Sequence, residues 1–411
     1  MNIRPFRGYR YSGGAGRDLT GVVAPPYDQI SPETRERLLE ASPHNIVRLT
    51  LPAGADGTDR YRHAREILER WLAEGVFTRD ERPAIYPYHQ TYTVGPRTIT
   101  RKSFIALGEV TPYAARVVMP HERTHAGPKQ DRLQLLEATG ADIGLLFMLV
   151  SEPTGALLKR VAPVGAPLAE ARDLRGEQHQ LWRITDERAI RDVQVLMAPK
   201  SVIIADGHHR YETAVEYAQR HSGADAKLMA FCVLEAPGLT ILPNHRLVRG
   251  VDGFALDKIG RAARAWFDVA PLPDPLRFRP DNRNIAVVAG AQAMAFRLRE
   301  DGFRSIVWPP RTSRAWRHLA VSILHEGLLK PLLGITDEIL DAKTHVEYTA
   351  DAAEAVALAR AGTYQAAFLI APTTPEELMA VVAGGELLPQ KSTHFYPKLL
   401  DGLVFHRLGE E

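Results

Sequence analysis

One junction constrains this chain more than any other feature. The apolar run Ser201-Val202-Ile203-Ile204-Ala205 leads straight into Asp206-Gly207-His208-His209-Arg210. Tyr211, Ala214, Val215 and Ala218 then repeat at helical spacing on one face. A buried strand that turns through Asp-Gly into a helix places the first turn of that helix beside the aspartate. Helix starts present backbone N–H groups without intrahelical acceptors and about half a positive charge, which favours anions. Gly207 lets a ligand approach the backbone, and His209 and Arg210 add donors, arginine being suited to bidentate phosphate contacts. The plainer alternative makes Asp206 a helix cap and Gly207 a turn residue, but capping needs neither histidine nor the arginine.

The chain has 411 residues, long enough for two domains. It is 45% hydrophobic and 24% charged, with a formal net charge of +2. The longest basic stretch, Arg97 to Lys102, is short and interrupted, which argues against duplex nucleic acid as a partner. The single cysteine, Cys232, lies in the apolar run Leu228 to Leu234 and reads as a core residue. No apolar run reaches membrane-spanning length, and the N-terminal residues lack a signal-peptide core. A cytoplasmic protein with no membrane partner is the expectation.

Helices and short strands are mixed rather than regularly alternating, which predicts an α+β fold. Helical spacing covers 59–74, 129–139, 186–197, 313–333 and 350–361. Strand patterns cover 84–94, 103–110, 141–150, 201–205, 284–289, 293–298, 305–308 and 365–370. Periodicity fades at 244–254, where Gly250 and Gly253 loosen the chain. The expected domains are therefore 1–248 and 249–411.

Three further clusters carry chemistry. Val23-Ala24-Pro25-Pro26-Tyr27-Asp28 is a rigid loop ending in a carboxylate, followed by Ser31-Pro32 as a helix cap and first residue. Such a carboxylate suits a general base or a metal ligand, although Asp28 also reads as a turn residue. His121-Glu122-Arg123-Thr124-His125 fits the H-E-x-x-H zinc pattern, but Pro120 and Gly127-Pro128 deny it a sustained helix. It reads better as a polar loop holding His121, Glu122 and Arg123 near an anion, with Lys129 and Arg132 on the next helix, or as a solvated charged loop. Gln390-Lys391-Ser392-Thr393 lacks the glycines of a Walker loop, and Lys391, Ser392 and Thr393 either close over a phosphate or form a plain exposed loop.

The Asp206 turn resembles the ParB/sulfiredoxin superfamily, whose free-serine kinases carry Asp-Gly-x-His-Arg there. The sulfiredoxin cysteine falls at His208, which excludes that chemistry. The whole chain is similar to the prokaryotic family called domain of unknown function 1015. Its hallmarks include Pro5-Phe6-Arg7-Gly8, Ala24-Pro25-Pro26-Tyr27-Asp28, Asn45-Ile46-Val47-Arg48 and Pro389-Gln390-Lys391-Ser392-Thr393 with Phe395-Tyr396-Pro397-Lys398. The resemblance implies a ParB/sulfiredoxin-like N-terminal domain with a large insertion, followed by a second α+β domain. It implies a phosphotransferase moving a phosphoryl group from ATP, ADP or pyrophosphate to a hydroxyl such as that of free L-serine. In that reading Asp206 holds Mg²⁺, and Gly207, His208, His209 and Arg210 bind and stabilise phosphate. Asp28 takes the acceptor proton. A ParB-like nucleotide switch or hydrolase and a non-catalytic binding module are the alternatives.

Overall fold

The computed structural model describes residues 1–54, 59–124 and 126–410, without the side chains of 126–128. It is a mixed α+β chain that divides into two units. The first comprises Met1–Pro120, Thr124–Thr240 and Pro397–Glu411; the second comprises His121–Arg123 and Ile241–Tyr396. No helix among the described residues is long and apolar enough to cross a membrane.

The first unit is built on a 10-stranded sheet. At its centre Ala226–Val233 pairs antiparallel with Arg97–Glu109 on one side and parallel with Leu146–Val150 on the other. Val202–Asp206 follows, antiparallel to Leu146–Val150. Every residue of Ala226–Val233 is buried, which is why the sequence there is a near-continuous apolar run. Cys232 sits in it with 1% of its surface exposed. Phe104, Met148, Ile204, Tyr211, Met229 and Phe231 share one core cluster, each large apolar side chain contributing roughly 1.5–3 kcal/mol by burial. The helix His208–Arg220 is fixed to this sheet by Tyr211, whose hydroxyl donates to the Thr111 carbonyl at 2.8 Å and accepts the Thr111 N–H at 3.0 Å.

The C-terminal tail belongs to this unit as well. His406–Arg407 pairs antiparallel with Ala141–Asp142, Phe405 bridges Tyr9, and Asp401 bridges Ala24. Leu399, Leu400, Leu403, Val404 and Phe405 are all buried. The tail is thus a core element of a unit whose other residues come from the first 240.

The second unit carries a six-stranded antiparallel sheet. Its strands run in the order Phe267–Pro271, Gln292–Leu298, Asn284–Ala289, Ala366–Leu369, His245–Val248 and Val346–Thr349. Ala286, Val288, Ala355, Val356, Ala367 and Leu369 form its core cluster.

Several expected elements differ. The units divide at Thr240, not at 248, because His245–Val248 is an interior strand paired on both edges. Its pattern looks weak only because His245 and Arg246 are polar. Both are buried, and Arg246 donates through its two terminal nitrogens to the Asn244, Gln390 and Lys391 carbonyls. The strand expected at 305–308 is absent: Glu300–Ser305 is helical, with Glu300 and Asp301 in its first turn, and Pro309-Pro310 follow without N–H donors. The single helix expected over 313–333 is broken. Leu319 is extended, and His325–Leu329 forms a π turn between Ala320–Leu324 and Lys330–Leu333. The strand expected over 141–150 is interrupted at Ile143–Leu145, and that interruption matters for the site.

Candidate functional site

Val202–Asp206 is buried up to its last residue. The ladder with Leu146–Val150 slips between Ile204 and Asp206, and a slip of this kind re-aims the side chain that follows it. Gly207 then has φ +100°, and a Cβ there would lie 2.6 Å from Leu146 Cδ2. Glycine is required on both grounds. The helix His208–Arg220 begins at once, with Gly207 as its N-cap and no side chain capping it. Asp206 is therefore not the helix cap of the plainer reading.

Its carboxylate is instead gripped from two sides. Lys398 Nζ donates to Oδ1 at 2.9 Å, and Arg210 Nη2 donates to Oδ2 at 2.8 Å. Burial alone would raise the Asp206 pKa; the Lys398 ammonium and Arg210 guanidinium outweigh it and hold the carboxyl well below its ordinary value. Arg210 also donates through Nη1 to the Leu145 carbonyl at 2.5 Å, using a group freed by the break in the 141–150 strand. Gly144 makes room for it: a Cβ there would lie 3.1 Å from Arg210 Cδ.

Behind Arg210 lies a cavity of about 70 Å³, lined among others by Tyr27, Arg132, Asp142, Arg210, Lys227 and Asp401. Lys227 is ion-paired with Asp142 and donates to the Gly144 carbonyl at 2.6 Å. Arg132 lies 4.1 Å from the Tyr27 ring centre and donates to the Thr50 carbonyl at 2.6 Å. Asp401 is 3% exposed, with Oδ1 facing the Leu145 N–H at 3.4 Å. Burial pushes its pKa up to about 7, against the pull of Arg210, the Leu145 amide and Lys227. The cavity thus holds cationic groups beside a carboxyl able to exchange a proton near neutrality, the pairing that general acid–base chemistry uses.

Asp28 lies in the short 3-10 turn Tyr27–Gln29, is exposed, and sits within electrostatic reach of Arg210 and Asp401. Ser31 caps the helix Pro32–Ala41 by accepting the Thr34 N–H at 3.2 Å. His208 is buried beside Asp206, and His209 is half-buried in the same first turn. Lys129 is engaged by Glu212 at 2.9 Å.

The remaining sequence candidates gather in the second unit. His121 is fully buried, with Nε2 2.8 Å from Thr393 Oγ1 and 3.8 Å from Glu122 Oε1. The Ser392 hydroxyl donates to the Pro389 carbonyl. Asn244 Nδ2 donates to the Lys391 and Thr393 carbonyls, at 3.0 Å each. Arg123 is exposed. Residues 121–124 are not helical, and His125, the last position of the zinc pattern, lies outside the described residues.

Asp206 does not suit the magnesium role expected of it, since both oxygens already face cations. No group of three potential metal ligands occurs among the described residues. Negative charge on a ligand would instead be met by Lys398 and Arg210. Lys398, Asp401, Lys227 and Asp142 stand at the candidate site but are not among the residues that the motifs single out for it. A lone lysine inside the apolar run 226–233 was a usable signal, as was Lys398 within a family hallmark.

The chain belongs to the family described as protein of unknown function (DUF1015), whose model matches residues 3–322. No curated protein matches it. Among solved structures, a conserved hypothetical protein from Pyrococcus furiosus is similar over 69% of this chain and 90% of its own, at 15% identity and TM-score 0.36. A free serine kinase in complex with AMP is similar over 68% and 83%, at 13% identity and TM-score 0.36. SbnI with a C-terminal truncation, from Staphylococcus aureus, is similar over 72% and 85%, at 11% identity and TM-score 0.37. The scores are low and the sequences far apart.

Proposed function

We propose that the first unit binds phosphate at the Asp206–Arg210 turn and that the protein is a small-molecule phosphotransferase. The donor would be ATP, ADP or pyrophosphate and the acceptor a hydroxyl, free L-serine being the first to try. The observation that carries this reading is the convergence of Lys398 and Arg210 on Asp206 at the start of a helix, with Asp401 behind them. Phosphoryl transfer needs positioning and charge neutralisation more than covalent participation by the protein. Lys398, Arg210 and the first turn of His208–Arg220 supply positive charge. Asp206 keeps the two cations in place. Asp401, or Asp28 from its exposed turn, accepts the proton of the attacking hydroxyl while the new P–O bond forms, the P–O bond to the rest of the donor breaks, and ADP, AMP or phosphate leaves.

The test is thermal-shift titration with ATP, ADP and pyrophosphate, with and without Mg²⁺, followed by assay for phosphorylated serine. Stabilisation by one donor, lost in Lys398→Met, is the expected result. Turnover with serine supports the transferase, and hydrolysis without acceptor points to a nucleotide switch. Binding without either leaves a binding module. No shift with any of the three donors overturns the phosphate site.

A further inference from the structure

The first unit holds another cavity, of about 480 Å³, that shares no lining residue with the one behind Arg210. Its wall includes Arg10, Arg79, Arg82 and Arg183 against only two acids, Asp80 and Glu81. Asp80 is 2% exposed and saturated. It accepts from Arg10 through Nε and Nη2, from Arg183 Nη1 at 2.7 Å, and from the Tyr86 hydroxyl at 2.7 Å. It therefore stays ionised and sets two guanidiniums side by side, but has little capacity left to neutralise anything else.

Arg10 and Arg82 keep donors that these acids do not take. Arg10 is 9% exposed, and among the described residues its Nη1 has no acceptor. Arg82 is exposed and makes no ion pair or hydrogen bond among the described residues. Arg79 is shared with Glu410 at 3.6 Å. Arg10, buried and oriented by Asp80, and Arg183, held by the same carboxylate, present guanidinium forks suited to a planar or tetrahedral oxyanion.

We propose that this cavity is a second anion site, for an oxyanion of the phosphate class, either free phosphate or the phosphate group of an ester. Arg10 and Arg183, aligned by Asp80, form its floor, and Arg82 closes over it. The proposal stands apart from the phosphotransferase reading, since it uses none of the Asp206 cluster.

Calorimetric titration of the full chain with inorganic phosphate and with glycerol 3-phosphate tests it, with malonate as a carboxylate control. The expected result is a phosphate-binding phase that weakens at least tenfold in Arg82→Glu and persists in Lys398→Met. Arg82 has no partner to lose, so its substitution leaves the fold intact, and circular dichroism checks this. Arg183→Ala should weaken the same phase. Binding of the free ion alone, or of both phosphates, supports the site and says which form it takes. Unchanged binding in Arg82→Glu, or phosphate binding that disappears only in Lys398→Met, overturns it, as does tighter binding of malonate than of either phosphate.

Discussion

At the scale of single residues, two aspartates of the same site have opposite pH behaviour. Asp401 is raised by burial to about 7. Its protonated form is favoured in the folded state, so its contribution to stability is complete below the unfolded value near 4 and is lost as pH rises through about 7. The loss is on the order of 4 kcal/mol. Asp401→Asn should therefore flatten the decline in chemical-denaturation stability between pH 4 and 7; an unchanged slope would mean that Asp401 is not protonated there. Asp206 is held down by Lys398 and Arg210 against burial, so its contribution is present above the unfolded value near 4 and disappears only as pH falls below it. Asp206→Asn leaves two cations facing each other and should cost about 3 kcal/mol. His209→Ala should cost less than about 1 kcal/mol yet lower the proposed phosphotransfer roughly 10²- to 10³-fold. Melting temperature measured beside turnover separates the two effects. A His209→Ala variant that melts early but turns over normally would remove His209 from the site.

At the scale of elements, the site depends on two irregularities. One is the ladder slip that ends Val202–Asp206, and the other is the gap between Ala141–Asp142 and Leu146–Val150. The gap exposes the Leu145 carbonyl to Arg210 and the Leu145 N–H to Asp401. Gly207 joins strand to helix with a positive φ and no room for a Cβ. Gly207→Ala should destabilise the chain by roughly 1–3 kcal/mol through backbone strain and overpacking against Leu146. It should also displace Arg210, because both effects push the first helical turn away from the sheet. Urea midpoint and nucleotide affinity should fall together, and a variant as stable as the parent would show that the turn relaxes freely.

For the whole molecule, the tail decides whether the first unit closes. Residues 397–411 bring Lys398 and Asp401 to the site and bury five consecutive or near-consecutive apolar side chains, Leu399 to Phe405. Truncation after Tyr396 should abolish ligand binding. It should also unfold the first unit, because the loss of several buried side chains at roughly 1.5–3 kcal/mol each exceeds ordinary domain stability. Near-ultraviolet circular dichroism reads the outcome; a truncated chain with native signal would make the tail dispensable. The chain's net charge of +2 gives a further expectation. Duplex DNA should bind no more tightly than about 10⁻⁶ M at physiological salt, the non-specific range, and fluorescence anisotropy measures it directly.

The sequence by itself determined the local pieces. The helix at Asp59–Ala73, the hairpin Tyr86–Val94 with the 103–109 part of its partner strand, the strand–Gly–helix junction at Asp206 and the buried setting of Cys232 all follow from periodicity, turn residues and apolar runs. Those signals act between neighbours in the chain, so they can be read there. Tertiary structure alone decided which distant groups complete the site. Lys398 reaches Asp206 across 192 positions, and Asp401 faces Leu145 across 256. Their pairing comes from a C-terminal tail packed against the unit formed by the first 240 residues, and no local pattern encodes that return. The same packing explains why polar His245 and Arg246 form an interior strand. Burial of a charged side chain is stable only when partners elsewhere satisfy it, and those partners, at Gln390 and Lys391, lie far along the chain.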